Sequence, residues 1–287
     1  MNLLVTLDSN YIKPLKVMLK SLFLNNQGES FAIYMMHSSL NAQELDDLRQ
    51  FIAGHGNQLN VIYIEDNYFK DAPTLLHYTK EMYYRLLAFK FLPQDLDRIL
   101  YLDPDILVIN SIRELYDTDL DGYLYAASYH DKIALKEVSK VRLGVYDIDA
   151  YYNSGVLLMN LPLQRQFIDE KIIYEFVEKN RLKLIMPDQD ILNALYSKQI
   201  KSLDEVLYNY DVRYYNYYNI KNGGVCDMDY IFRNTVILHF CGKKKPWNKQ
   251  YSGKFHSLYK QYEKFALEER FNSGLLLDKN KAQSQMY

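Results

Sequence analysis

The chain has 287 residues, 48% apolar and 24% charged, which is enough to bury a sizeable core as one α/β domain, alone or with a small appendage. A net charge of −2 supplies no basic balance and argues against a nucleic-acid partner. The N-terminal apolar run has no basic stretch before it and ends at Asp8, so it reads as a strand rather than a signal peptide, and no apolar run approaches the roughly 18 residues of a membrane span.

The two cysteines, Cys226 and Cys241, lack CxxC spacing and read as free buried thiols of a reducing cytoplasm. Tyrosine is frequent, at 28 residues. Its ring suits sugar faces, although drift in a Lys/Asn/Tyr-rich proteome accounts for the total equally well.

Leu3–Leu7 reads as a first strand, and residues 11–24 carry Tyr11, Leu15, Met18, Leu19, Leu22 and Phe23 at helical spacing. Phe31–Met36 is a second strand. Asn41 with Glu44 forms an N-cap and its partner, opening a helix that buries Leu45, Leu48 and Ile52. Val61–Ile64 is a third strand, a helix runs from Thr79 to Phe91 before Pro93, and Arg98–Leu102 is a fourth strand. Such alternation predicts right-handed crossovers and a mostly parallel sheet. Beyond it, Tyr123–Ala127 and Gly155–Met159 read as strands, residues 164–180 as one helix and Pro187 as the start of another. Residues 208–219 read as a polar aromatic loop, and Val236–Phe240 as a last strand. Phe255–Phe271 is amphipathic, with Lys260 and Lys264 balanced by Glu263, Glu268 and Glu269, and the last dozen residues read as disordered.

RILYLDPDILV (98–108) carries the strongest chemical signal. A strand runs into Asp103-Pro104-Asp105, and in an extended chain i and i+2 carboxylates share a face, so both can reach one cation. Ligands of open α/β sheets bind at the carboxyl ends of strands, and hard oxygen ligands suit Mg²⁺ or Mn²⁺. A solvated turn accounts for the same residues. In VILHFCGKKKPW (236–247), His239 ends a strand as a candidate third ligand that would favour Mn²⁺, Gly242 allows close backbone approach, and Lys245 can neutralise a diphosphate. A satisfied histidine beside an exposed basic loop reads as well. In VTLDSNY (5–11), Asp8, Asn10 and Tyr11 follow the first strand, where a base could stack on Tyr11, although N-cap chemistry explains Asn10. Asn153 in YYNSGVLLMNL and Asp188-Gln189 in MPDQDILN suit sugar hydroxyls, and Asp188 also complements a helix dipole.

These pieces in this order resemble glycosyltransferase family 8, over roughly residues 1–250. The resemblance implies the single-domain GT-A nucleotide-sugar transferase fold, a Rossmann-like, mostly parallel sheet flanked by helices. It implies a UDP-hexose donor, Mn²⁺ (with Mg²⁺ as the alternative) and retention at the anomeric carbon. Asp103, Asp105 and His239 match the metal ligands. Thr6, Asp8, Asn10, Tyr11, Arg85, Asp103, Pro104, Asn153, Gly242 and Lys245 match the donor-binding set. Gln189, Asp188 and Asp105 become the candidate catalytic residues. An amide such as Gln189 is a poor nucleophile, which favours same-face attack over double displacement. The segment AASYHD (126–131) departs from some members, where Tyr129 and His130 precede Asp131, so glucose and galactose are not distinguished.

The expected organisation is a transferase domain over 1–250 and a helical extension with a tail over 251–287. The expected acceptor is a glycan, lipid-linked group or protein. A cytoplasmic monomer or homodimer, at most peripheral to a membrane, completes the expectation. A haloacid dehalogenase-type phosphatase also places DxD after a strand, but its pattern asks for Thr or Val where Leu107 stands, and its nucleophile lies near the N-terminus. A non-catalytic sugar- or nucleotide-binding module on the same fold is the other rival.

Overall fold

The predicted alternation becomes a seven-stranded sheet. In the computed structural model, which describes residues 1–65, 68–69, 72–73, 82–129, 142, 148 and 150–268, the chain runs through β1 (Asn2–Thr6), α1 (Ile12–Asn25), β2 (Ala32–His37), α2 (Ala42–Ala53) and β3 (Gln58–Tyr63). Next come α3 (Met82–Leu87), β4 (Arg98–Leu102), β5 (Ile106–Val108), β6 (Tyr125–Ser128), β7 (Val156–Asn160) and β8 (Ile200–Leu203). The sheet order is β3-β2-β1-β4-β7-β6-β8. Among the described strands only β7 opposes the rest, pairing antiparallel with both β4 and β6. The Asn41–Glu44 capping box that opens α2 is formed in both directions.

Both faces of this sheet are covered, so its strands read as apolar runs rather than alternating ones. Leu3, Val5, Ile33, Met35, Leu100 and Leu158 pack on one side with Leu15, Met18 and Leu22 of α1 and Leu48 and Ile52 of α2. Their strand neighbours Leu4, Met36, Tyr101, Leu157 and Met159 pack on the other side with Leu86 and Leu87 of α3 and with Ile191 and Leu192. This is the two-residue period of a pleated strand.

A second, three-stranded sheet joins β5 to β10 (Ile237–His239) and β9 (Tyr210–Asp211), with β10 antiparallel to β5. Under it lies a third core containing Leu107, Tyr210, Leu238, Phe240, Phe255 and Tyr259. Phe255 precedes the helix His256–Leu267, which seats on α1, where Asn25 Nδ2 donates to the Tyr262 hydroxyl at 2.8 Å.

Several expectations are corrected. The fourth strand, Arg98–Leu102, is as expected, but Asp103-Pro104-Asp105 does not continue it as an extended chain: β4 and β5 belong to different sheets, and these residues turn the corner between them. Residues 164–180 are two helices, Leu161–Phe167 and Glu170–Asn180. Ile168 is extended (φ −90°, ψ 117°), and Asp169 caps the second helix by accepting from Lys171 N. Residues 208–219 hold β9 and most of the helix Tyr215–Lys221 rather than a loop. β8 and the helix Met228–Asn234 were not anticipated. Cys226 and Cys241 are free, but Cys241 is only partly buried. Thr79, His130, Asp131 and the tail beyond 268 lie outside the described residues. No helix among the described residues is long and apolar enough to cross a membrane.

Candidate active site

The corner turn lies where the two sheets meet. β10 pairs with β5 so that His239 sits opposite Ile106, and Phe240 N donates to Asp105 O at 3.0 Å. That register brings a histidine from far along the chain against the Asp105 side chain: His239 Nε2 is 3.2 Å from Asp105 Oδ1 and 3.9 Å from Asp103 Oδ2. The three residues each offer one ligand atom within 4.8 Å of the others. The expectation that the two carboxylates converge holds, although a turn brings them together and not an extended chain.

Cations surround the cluster. Lys245 pairs with Asp105 Oδ2 and also donates to Phe240 O at 3.0 Å. Arg85 of α3 reaches Asp103 Oδ1 and Asp188 Oδ2, both at 3.1 Å, and donates to Ser154 O at 3.1 Å. Its guanidinium lies over the Tyr101 ring, 4.5 Å from the centroid. Tyr101 donates its hydroxyl proton to Asp103 and lies 3.3 Å from Thr6 Oγ1. The site thus holds three carboxylates against two permanent cations.

Electrostatics follow from this crowding. Burial would raise the Asp105 pKa, but His239 and Lys245 outweigh it and hold the carboxyl below the usual range. Burial likewise opposes the charges of Lys245 and Arg85, yet Asp105 keeps the ammonium pKa raised, and Asp103, Tyr101 and Asp188 do the same for the guanidinium. For His239, burial would lower the pKa, while Cys241 and Asp105 hold it well above its ordinary value.

On the helix Pro187–Tyr196, successive acids face different ways. Asp188 accepts from Ser154 Oγ at 2.8 Å and pairs with Arg85. Asp190 is fully buried, accepting two hydrogen bonds from Arg142, one from the Tyr151 hydroxyl and two from Ile185 N and Met186 N. Between them, Gln189 Oε1 is 3.4 Å from Asn153 Nδ2.

The donor-base candidates lie at the same end of β1. Asp8, rather than Asn10, is the capping residue, accepting from Asn10 N at 2.8 Å. Tyr11 is half-buried, with its ring edge-on to Trp247 at 5.8 Å. Burial raises its pKa, and Lys245, Asp105, Asp8 and Asp103 are all close enough to act on it. Gly242 has φ +85°, a conformation suited to glycine, and a Cβ there would stand 2.6 Å from Arg213 Nη1.

Sequence reasoning missed Tyr101, Ser154, Gly155, Asn209 and Arg142. A glycine entering a strand was the available signal for Gly155. Nothing in the sequence pointed to Asn209, whose partners Asn153 and His239 lie 56 and 30 positions away.

The profile of "Glycosyl transferase family 8" matches residues 2–251. The chain belongs to glycosyltransferase family 8. It is 29% identical over 248 residues to a lipopolysaccharide 1,2-glucosyltransferase of Escherichia coli, covering 84% of this chain and 71% of that one. It is 27% identical over 275 residues to general stress protein A of Bacillus subtilis (strain 168), covering 91% and 92%. Among solved structures, the galactosyltransferase LgtC, crystallised with donor and acceptor sugar analogues, superposes with a TM-score of 0.76 at 25% identity, covering 92% of this chain and 95% of that one. The two sheets and their helices are therefore the GT-A fold, and this family 8 member is a glycosyltransferase, which sets the phosphatase reading aside. The Asp103–Asp105–His239 cluster fits the divalent metal that GT-A transferases use with a nucleotide-sugar donor.

Proposed function

We propose that the protein is a retaining hexosyltransferase. In this reading it moves glucose or galactose from a UDP-sugar to a glycan, lipid-linked or other cell-surface acceptor. Mn²⁺, or Mg²⁺ in its place, is held by Asp103, Asp105 and His239. The observation that carries this reading is the convergence of those three ligand atoms within 4.8 Å, beside Lys245 and Arg85. The cation would act as a Lewis acid on the leaving diphosphate.

The chain's own residues have separable tasks. Lys245 can exchange its Asp105 partner for a phosphate oxygen, with Gly242 giving the backbone room to approach. Tyr11, Asp8, Asn10 and Thr6 line the uridine end, and Pro104 shapes the turn that carries the ligands. Asn153, Asp188 and Gln189 hold sugar hydroxyls. The carboxylates of the Pro187–Tyr196 helix are both engaged, Asp190 by five hydrogen bonds and Asp188 by Arg85 and Ser154. Neither is a free nucleophile, which supports same-face attack with Gln189 steadying the sugar.

Residues 1–250 form the transferase domain in this reading, and 251–287 an extension. The protein works in the cytoplasm, as a monomer or homodimer, at most peripherally on a membrane.

Calorimetric titration of UDP and GDP with Mn²⁺ tests the donor, and proton NMR of the first product from an acceptor array tests the outcome. Selective UDP binding and an α-linked product are expected. Equal affinity for GDP, a β-linked product from an α-linked donor, or UDP-sugar binding with neither hydrolysis nor transfer would overturn it, the last in favour of a non-catalytic module.

A further inference from the structure

Asn209 is 2% exposed and stands behind the imidazole of His239. We infer that Asn209 is a positioning residue that dictates which His239 nitrogen is offered to the cation, and that it ties this choice to Asn153 and the donor-sugar side of the site. The inference rests on the metal reading proposed above.

One donor in this chain of hydrogen bonds cannot be reversed. The backbone N–H of Gly155 points at a terminal atom of the Asn153 amide, 2.9 Å away. A backbone N–H can only donate, so that atom is the oxygen, Oδ1. The same oxygen is 2.9 Å from a terminal atom of Asn209, which must therefore be the NH₂ group. The remaining atom of Asn209 is then its oxygen, and it lies 2.7 Å from His239 Nδ1. An oxygen there can only accept, so Nδ1 keeps its proton whether the ring is neutral or charged. The lone pair of a neutral ring falls on Nε2, the nitrogen that faces Asp105 Oδ1 at 3.2 Å and Asp103 Oδ2 at 3.9 Å.

Each link has one polarity, set by a single peptide N–H. From Asn153 the chain continues by a longer contact, Nδ2 to Gln189 Oε1 at 3.4 Å. One buried amide thus connects a metal-ligand imidazole to a residue beside the donor sugar. Outer partners of ligating imidazoles fix tautomer and ring orientation, and their loss typically costs 10–100-fold in metal affinity.

Two substitutions separate the two hands of Asn209. Asn209→Leu removes both. Asn209→Asp keeps an oxygen for His239 Nδ1–H but presents a second oxygen to Asn153 Oδ1, so it preserves the tautomer and breaks the link to the sugar side. The readouts are the ¹⁵N shifts of the His239 ring, read at a pH high enough to leave the ring neutral and assigned by their loss in His239→Gln, and Mn²⁺ affinity measured by calorimetry without donor.

The wild type is expected to show Nδ1–H. Asn209→Leu should lose that preference and bind Mn²⁺ about 10–100-fold more weakly. Asn209→Asp should keep both within a few-fold while its donor KM rises or its kcat falls. Rescue by a charged, buried aspartate is not what loss of a merely structural amide would give. Asn209→Leu binding Mn²⁺ as tightly as the wild type, or Asn209→Asp binding as weakly as Asn209→Leu, overturns the inference alone. A wild type that binds no Mn²⁺ overturns the metal reading and this inference with it.

Discussion

Gly155 and His239 approach so closely that no side chain fits between them. A Cβ on Gly155 would stand 2.6 Å from Asp103 Oδ2 and closer still to His239 Cε1, while Gly155 O accepts from Asp103 N at 2.8 Å. The backbone of β7's entry thus forms a wall of the candidate metal-ligand cluster. Gly155→Ala must push one ligand aside. Mn²⁺ affinity is expected to fall by about 10–100-fold, the usual cost of disturbing the groups that orient a ligand. Stability should fall by about 1–3 kcal/mol from overpacking. Calorimetric Mn²⁺ titration beside thermal unfolding checks both, and an unchanged Mn²⁺ affinity would contradict the wall.

Asp190 is expected to matter for stability and not as a nucleophile. Its carboxylate compensates Arg142, whose side chain is only 17% exposed, and ties down Ile185 N and Met186 N ahead of the Pro187–Tyr196 helix. Asp190→Asn leaves that guanidinium poorly compensated and should cost about 3 kcal/mol. Scanning calorimetry should show the midpoint lowered by several degrees. Intact-mass analysis of wild type quenched during turnover should show no glycosyl-enzyme; an adduct mapped to Asp190 would contradict this account.

Lys245 should distinguish a diphosphate from a nucleoside. It is a partly buried ammonium held charged by Asp105, within reach of the Tyr11 side chain. Lys245→Met is expected to weaken UDP by about 10–100-fold, the worth of a charge-assisted contact, and to leave uridine affinity unchanged. Competitive titration of the two ligands measures the difference. Equal losses would mean that Lys245 shapes the whole pocket rather than meeting phosphate.

Asp105 carries an acid-stability signature. Burial favours its neutral form, but His239 and Lys245 win and depress its folded-state pKa. A depressed carboxyl contributes stability that is full above the ordinary value of about 3.9 and is lost as pH falls through the folded-state value. The melting-temperature gap between wild type and Asp105→Asn should therefore shrink as pH drops below about 4. A gap that widens there would reverse the assigned direction.

Much of this was legible before folding was considered. The strands β1, β2 and β4, the capping box at Asn41 and the helix opening at Pro187 follow from local chemistry: short apolar runs, a side chain that accepts from a nearby N–H, and a ring that fixes φ. Asp103, Asp105 and His239 were candidate ligands because their residue types and strand-end positions are chemical facts of the sequence. Other features were illegible because they depend on partners far along the chain. β5 is three residues long and gains its identity only by pairing with β10, and it is this pairing that sets His239 against Asp105. Asp188 and Asp190 stand in the same first turn; which one faced the site and which was buried beside Arg142 was decided when the helix docked. Asn209 had no local signature at all, since a hydrogen bond between side chains 30 and 56 positions apart is a property of the packed molecule. Local backbone preference and residue chemistry therefore determined these first elements and the candidate ligands. Long-range strand register and helix docking decided the polarity of the amide chain and which carboxylates remain available to the reaction.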